Sequence, residues 1–513
     1  MTHDTAPHKI PNPTPGHTPG HTPGHTPGST PDHTPDHTTD HTTGHTTGHK
    51  SEYMPGPIPD DIKRQLIDIV TTNRYLDRKE ELACYAYDAF WEEAMPDAVI
   101  FPETAKEVSR ILKIASLHKI PITGRGAGTS LCSASVPLKH GIVLCFSKMD
   151  KIIEINTRDR YIIVEPGVIN SDVQKALAPL GFFYPPDPGS MNIATIGGNI
   201  AQNAGGPRCL KYGVTMDYVL GMEVVLATGE IVTFGSRNVK DVTGYKLSSL
   251  FCGSEGTLGL VTRAILKVVP QPETTKTLMV TFKDLDDTAN AVSDIIGSGI
   301  LPAAMELMDK FTLNAIEDSF ELGLDREAEG SLLIEIDGIK EACEREMVKI
   351  IEKLKDNNAV HIQESANDAD RQRLWTARRS AYGVFAKLAP DIVSEDVTVP
   401  VSKVPEMTRR IKQIAKNYDL TAGVLAHAGD GNMHPMIPAD RSNTEEWARV
   451  EKAFDEIFEA AADLGGTLSG EHGIGQAKAR YLPLVMNQDS INLMTRIKRA
   501  IDPDNILNPG KFV

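Results

Sequence analysis

The sequence predicts an α+β protein of two unequal halves behind a low-complexity tail, and three observations carry that prediction. Strand and helix periodicities alternate from residue 58 onward. Three Gly-rich stretches fall between residues 124 and 259, separated by predicted strands and helices. The second half then runs strand, helix, strand, helix, a pattern compatible with a ferredoxin-like unit.

Composition sets the outer bounds. A chain of 513 residues is long enough for two to four domains. Its 40% hydrophobic and 24% charged residues are ordinary for a globular protein. A net charge of −16 argues against nucleic acid or an anionic membrane surface as main partner. The six cysteines form no CxxC pair, so iron–sulfur, zinc-ribbon and disulfide frameworks are not expected. Together with the lack of a signal-peptide pattern, this leads to the expectation of a reducing, cytoplasmic setting. No apolar run reaches the ~20 residues of a membrane-spanning helix, so any membrane association is expected to be peripheral, at the inner face.

Residues 1–55 form the tail. His-Thr-Pro-Gly units begin at His17 and drift to His-Thr-Thr-Gly, and ten of the sixteen histidines lie in the first fifty residues. With little to bury, the tail is expected to be disordered; its histidines, four apart, could wrap a transition metal, although a solvated role is the simpler reading. Helices are expected over 62–70 and from 102 to 118, then a short strand over 121–123. Gly124-Arg125-Gly126-Ala127-Gly128-Thr129-Ser130 follows. It is not a dinucleotide fingerprint, because Thr129 stands at the third glycine position and a strand, 141–146, comes next. It reads as a β-turn-β anion cradle.

A strand over 161–165 and a helix over 171–180 lead to the second stretch. Pro185 to Ser190 runs into Thr195-Ile196-Gly197-Gly198-Asn199-Ile200-Ala201-Gln202-Asn203-Ala204-Gly205-Gly206. So many Gly and Ala residues are too many for an ordinary packed core helix and suit backbone lying against a flat ligand. Strands over 221–227 and 231–234 are joined at Thr228-Gly229-Glu230, and the third stretch, Cys252 to Gly259, precedes a strand over 261–268. Three such loops in one segment suggest a long cofactor threaded along it. Beyond it come strands over 277–282 and 332–336 and helices over 288–298, 340–354 and 366–389. A last helix carries Ile491, Met494, Ile497 and Ile501 and stops before Pro503.

The chemistry is expected in Ala426-His427-Ala428-Gly429-Asp430-Gly431-Asn432-Met433-His434-Pro435 and in Ser469-Gly470-Glu471-His472-Gly473. Gly429 and Gly431 break a helix, and a straight strand would place residues seven apart on opposite faces. A tight turn could aim both imidazoles at one point. His427, His434 and Glu471 then suggest a divalent metal site with an open position.

Several motifs resemble a known family. Arg125-Gly126-Ala127-Gly128-Thr129, Pro186-Asp187-Pro188-Gly189-Ser190, Ile196-Gly197-Gly198-Asn199, Asn203-Ala204-Gly205-Gly206 and Gly253-Ser254-Glu255-Gly256 look like the FAD-binding motifs of vanillyl-alcohol-oxidase-type flavoproteins. The His427–His434 motif, Gly470 to Gly475 and Asn508-Pro509-Gly510-Lys511 are similar to the glycolate oxidase large subunit and D-lactate dehydrogenase branch. The resemblance implies a two-subdomain FAD-binding domain (56–272), then a ferredoxin-like cap or substrate domain with a C-terminal helical segment (273–513). It implies non-covalent FAD, since the first loop has no histidine. Cofactor contacts are expected from Arg125 to Ser130, Pro186, Asp187, Gly189, Ser190, Gly197, Gly198, Asn199, Asn203, Ala204, Gly205, Gly253, Glu255, Gly256 and Asn508.

The expected reaction is oxidation of a D-2-hydroxy acid, lactate or glycolate, to the 2-keto acid. His472 would be the base, Arg378 would bind the substrate carboxylate, and a divalent metal, zinc by its ligand set, would sit on His427, His434 and Glu471. Electrons would leave to a protein partner, a quinone or a cytochrome; homodimerisation stays open. Two rivals are a zinc-dependent hydrolase, which leaves the Gly-rich loops unused, and a non-catalytic metal-binding protein, which explains the tail and little else.

Overall fold

The computed structural model describes residues 56–512, so the expectation for the tail lies outside the described residues. The helix Asp60–Val70 buries Ile62, Leu66, Ile69 and Val70 on one face. The helix Ala105–His118 starts at Thr104, whose hydroxyl accepts the Glu107 N–H at 3.2 Å, and ends where Lys119 turns left-handed. Both cover a four-stranded sheet ordered Tyr75–Leu76, Ala98–Ile100, Ile142–Cys145, Ile122–Arg125. The last two strands run parallel. The Gly-rich loop after Arg125 is therefore not a tight β-turn-β hairpin: a parallel partner needs a crossover, and residues 126–141 supply it without a helix.

A five-stranded antiparallel sheet follows, ordered Ile152–Asn156, Tyr161–Val164, Leu260–Lys267, Val219–Val225, Ile231–Gly235. Helices Asn170–Leu177 and Ile196–Gln202 share its core through Val173, Leu177, Ile196 and Ile200. Part of the Gly/Ala run is thus helical after all, capped by the Thr195 hydroxyl on the Gly198 N–H. Its glycines do serve close approach: a Cβ on Gly197 would lie 2.7 Å from Pro166 Cβ.

In the second half, strands Thr274–Phe282, Ala304–Asp309, Gly330–Gly338 and His361–Glu364 pair antiparallel in the spatial order fourth, first, third, second. That is the ferredoxin-like order the strand–helix alternation implies. The sheet continues beyond Ala304–Asp309 with Gly423–His427, Asn432–Ala439 and Asp391–Ser394. Side chains alternate between its faces. Val280, Met305, Leu307 and Ile334 enter one core under helices Leu285–Gly297, Lys340–Asp356, Val404–Asn417 and Thr444–Asp463. Met279, Met308, Leu333 and Leu425 enter the other, under helix Asp368–Phe385, and Glu306, Glu335 and His427 belong to this second face by register.

The final helix, Gln488–Ile501, returns to the FAD-type half. Ile497 and Ile501 pack on the five-stranded sheet's core, while Ile506 and Leu507 join the first core. Buried Lys498 closes this return: its ammonium pairs with Asp502 and donates to the carbonyls of Thr257 (2.7 Å) and Leu507 (2.8 Å). Lys498→Met would leave the Asp502 carboxylate buried without its cation. Removal of one partner from such a pair costs about 3–5 kcal/mol, so thermal unfolding of this variant is expected several degrees below wild type. An unchanged melting temperature would show that the pair does not hold the C-terminal return.

Candidate functional site

The site begins with a hairpin. His427 ends the strand Gly423–His427 and His434 lies in Asn432–Ala439, with Leu425 opposite His434 and His427 opposite Asn432. Register therefore puts both histidines on one face as diagonal neighbours, which no single strand could do. The four-residue turn is glycine-dependent. Gly431 has φ +82°, and a Cβ there would lie 2.0 Å from the Val399 carbonyl oxygen. The rings meet edge to face at 5.0 Å.

Opposite His427 in the next strand stands Glu306, fully buried. Both its carboxylate oxygens lie 2.9 Å from His427 Nδ1, and Arg378 holds Oε2 at 2.6 Å. The carboxylate is the acceptor that the imidazole and the guanidinium share. With Nδ1–H engaged, His427 presents Nε2 to Glu471 Oε1 at 3.1 Å, while His434 Nε2 approaches the same oxygen at 3.4 Å. The ligand atoms of His427, His434 and Glu471 all lie within 4.8 Å of one another. Burial disfavours charge on His427, but Glu306 and Glu471 outweigh it and raise its pKa well above the usual histidine range. Burial and the charge of His427 push His434 well below that range. Burial also opposes the charge of Glu471, yet His427 holds its pKa at about 2. Two imidazoles and an ionised carboxylate, one imidazole oriented by a second carboxylate, form a donor set that fits a divalent ion.

Glu471 and His472 are placed by a loop that is itself pegged. The fully buried Asp396 carboxylate accepts N–H groups from Gly470 (2.6 Å), Glu471 (2.7 Å) and His472 (3.2 Å), and the Ser469 hydroxyl. Lys478, also fully buried, pairs with Asp396 and with Glu395. Despite burial, Lys478 keeps Asp396 ionised far below the usual carboxylate range. A second peg comes from the other half: Glu255 accepts the N–H groups of Ile474 (2.8 Å) and Gly475 (3.0 Å). His472 stacks on His434 at 5.2 Å. Its Nδ1 faces Asp396 at 3.5 Å, buried without a hydrogen-bond partner.

His427, His434, Glu471 and His472 line a cavity of about 710 Å³. Its other walls are the Gly-rich loops. Arg125 to Ser130, Asp187, Gly189, Ser190, Gly197, Gly198, Asn199, Ala204, Gly205, Glu255 and Gly256 all line it. Its walls come close to bare backbone: Gly128 has φ +72°, and a Cβ on Gly126 would lie 2.2 Å from the Thr195 hydroxyl. A long, flat, anionic cofactor fits such walls.

Four other expected contact residues are not part of the cavity lining. The Pro186 carbonyl accepts from Asn170, Asn203 accepts the Met216 N–H, Gly253 donates to the Ile200 carbonyl, and Asn508 donates to the carbonyls of Ala134 and Glu255. Arg378 and Arg379 both line the cavity. Buried Arg378 keeps Nε without a partner, and Arg379 lies over the Trp375 ring at 5.2 Å. Sequence reasoning missed Glu306, Asp396 and Lys478. For Glu306 the signal was there: a carboxylate inside Ala304-Met305-Glu306-Leu307-Met308, a run that otherwise reads as a buried strand.

Comparison with known proteins agrees with this geometry. Residues 96–235 match the family model of an FAD binding domain and residues 271–512 that of the FAD linked oxidases, C-terminal domain. The chain is 48% identical over 456 residues to the glycolate oxidase subunit GlcD of Bacillus subtilis, covering 89% of this chain and 97% of that one. It is 37% identical over 419 residues to a D-lactate dehydrogenase of Archaeoglobus fulgidus, covering 81% and 91%. Among solved structures, p-cresol methylhydroxylase aligns with a TM-score of 0.74 at 20% identity over 88% of this chain and 96% of that one, which shows the shared fold. The rival hydrolase and metal-binding readings leave these matches unexplained. By its two matched domains and by identity along most of its length, the chain belongs to the FAD-linked oxidases, in the branch that contains glycolate oxidase subunit GlcD and D-lactate dehydrogenase.

Proposed function

We propose that this protein oxidises a D-2-hydroxy acid to the 2-keto acid at the end of the cavity where His427, His434, Glu471, His472 and Arg378 converge. The observation that carries the reading is the meeting of the two motif sets: the loop 469–475 is hydrogen-bonded to Asp396 on one side and Glu255 on the other. Bound FAD supplies the acceptor for the substrate hydride, and a divalent ion, zinc by its ligands, supplies Lewis acidity toward the hydroxyl.

The chain's own residues do the rest. Arg378 binds the substrate carboxylate through donors not spent on Glu306, and Arg379 adds positive charge beside it. His472 takes the hydroxyl proton on Nε2, since its Nδ1 faces Asp396. Glu306 holds His427 so that Nε2 is the ligating atom. The electron acceptor, homodimer formation and a cytoplasmic or membrane-peripheral location stay part of this reading. Among the described residues no helix is long and apolar enough to cross a membrane.

Anaerobic mixing with D-lactate or glycolate is expected to bleach the flavin of the purified protein, and no bleaching by any 2-hydroxy acid would contradict the proposal. His472→Ala is expected to retain FAD yet reduce it about 10²–10⁴-fold more slowly. Reduction at the wild-type rate would remove His472 as the base. For the ion, metal analysis is expected to find roughly one equivalent in wild type and a marked loss in His427→Ala and His434→Ala. Wild-type metal content in both variants would rule out this coordination.

A further inference from the structure

One stretch of the cavity lining beside His427 and His434 is uncharged. Along the sheet, Leu425 is the cross-strand neighbour of His434, Met436 lies two residues beyond it on the same face, and Ser394 is paired with Met436. All three are buried and line the cavity. Along helix Asp368–Phe385, the turn that carries Arg378 and Arg379 is followed by Tyr382 and Gly383, which line it too. The two elements therefore run from charged to uncharged in the same direction. Past Arg378 and Arg379, the residues Tyr382, Gly383, Ser394, Leu425 and Met436 bring no charged side chain to the lining.

Gly383 adds a separate observation. It sits inside a helix, where glycine costs about 1 kcal/mol relative to alanine. A Cβ there would meet nothing within 4 Å, so packing against protein does not require the glycine. Gly383 lines the cavity, so a side chain there would extend into open space on that wall.

We infer that Tyr382, Gly383, Ser394, Leu425 and Met436 form the subsite for the substrate's side chain, shaped for a short uncharged aliphatic group. The preferred substrates are then D-2-hydroxy monocarboxylic acids of lactate size and slightly larger, ahead of glycolate and of hydroxy dicarboxylic acids. This inference rests on the proposed oxidation. Glycolate has no group to fill the subsite, while a second carboxylate would meet Leu425 and Met436 and lose its water without gaining a cation.

The test is a kcat/KM series on the holoenzyme with glycolate, D-lactate, D-2-hydroxybutyrate and D-malate. Each methylene that packs in the subsite is expected to raise kcat/KM by at least about threefold, and D-malate is expected to fall on the order of 10²-fold below D-2-hydroxybutyrate. Gly383→Leu fills the space from a position that favours helix. It is expected to lower the ratio of D-2-hydroxybutyrate to glycolate kcat/KM by about tenfold or more. Wild-type preference for glycolate or D-malate, or an unchanged ratio in Gly383→Leu, would overturn the subsite while leaving the oxidation intact. Failure of all four acids to reduce the flavin would overturn the oxidation itself, and the subsite with it.

Discussion

A single buried carboxylate, Asp396, holds the site together. Three consecutive backbone N–H groups, from Gly470 to His472, converge on it, and Lys478 supplies the countercharge. Hydrogen bonds to a charged acceptor contribute about 1.5–3 kcal/mol each, enough to fix a loop whose glycines would otherwise leave it many conformations. Because the three donors are adjacent in sequence, Glu471 and His472 are oriented together rather than one by one. Glu255 fastens the far end of the same loop to the third Gly-rich stretch, and a Cβ on Gly475 would lie 1.8 Å from the Cys132 carbonyl oxygen. One short segment is thus pinned to its own half at one end and to the cofactor wall at the other.

Glu306 plays a matching part on the sheet. It takes two cationic or donor groups at once, Arg378 and His427 Nδ1, and so links the residue proposed for the substrate carboxylate to a residue proposed for the metal. Burial pushes the Glu306 pKa up, but Arg378 and His427 outweigh it and keep the group ionised. Charge alternates through the cluster, from Arg378 to Glu306 to His427 to Glu471. An unpaired member would be costly to bury, so the four depend on each other as a set.

Much of this was legible in the sequence where the signal is local. The helical spacing expected over 102–118 marked the helix Ala105–His118, and the glycine stretches marked the cavity walls. The His427–His434 spacing with two glycines between implied a turn. What escaped depends on long-range pairing. Glu306 reaches His427 across 121 residues of sequence, and Lys478 reaches Asp396 across 82. Neither strand Ala304–Asp309 nor the 423–439 hairpin was assigned from periodicity, since both of their faces are buried and the period-two alternation disappears. Pro186, Asn203, Gly253 and Asn508 sit in the same motifs but are engaged in hydrogen bonds to neighbouring segments and are not part of the cavity lining.

Asp396→Asn gives the most direct test of the loop's role. The substitution keeps the shape but removes the charge that gathers the three N–H groups and balances Lys478. Measured by anaerobic stopped-flow on protein with full FAD content, flavin reduction by D-lactate is expected to fall at least about 10²-fold, since both the proposed base and a proposed metal ligand lose their positions. Reduction of the Asp396→Asn flavin at the wild-type rate would contradict the account.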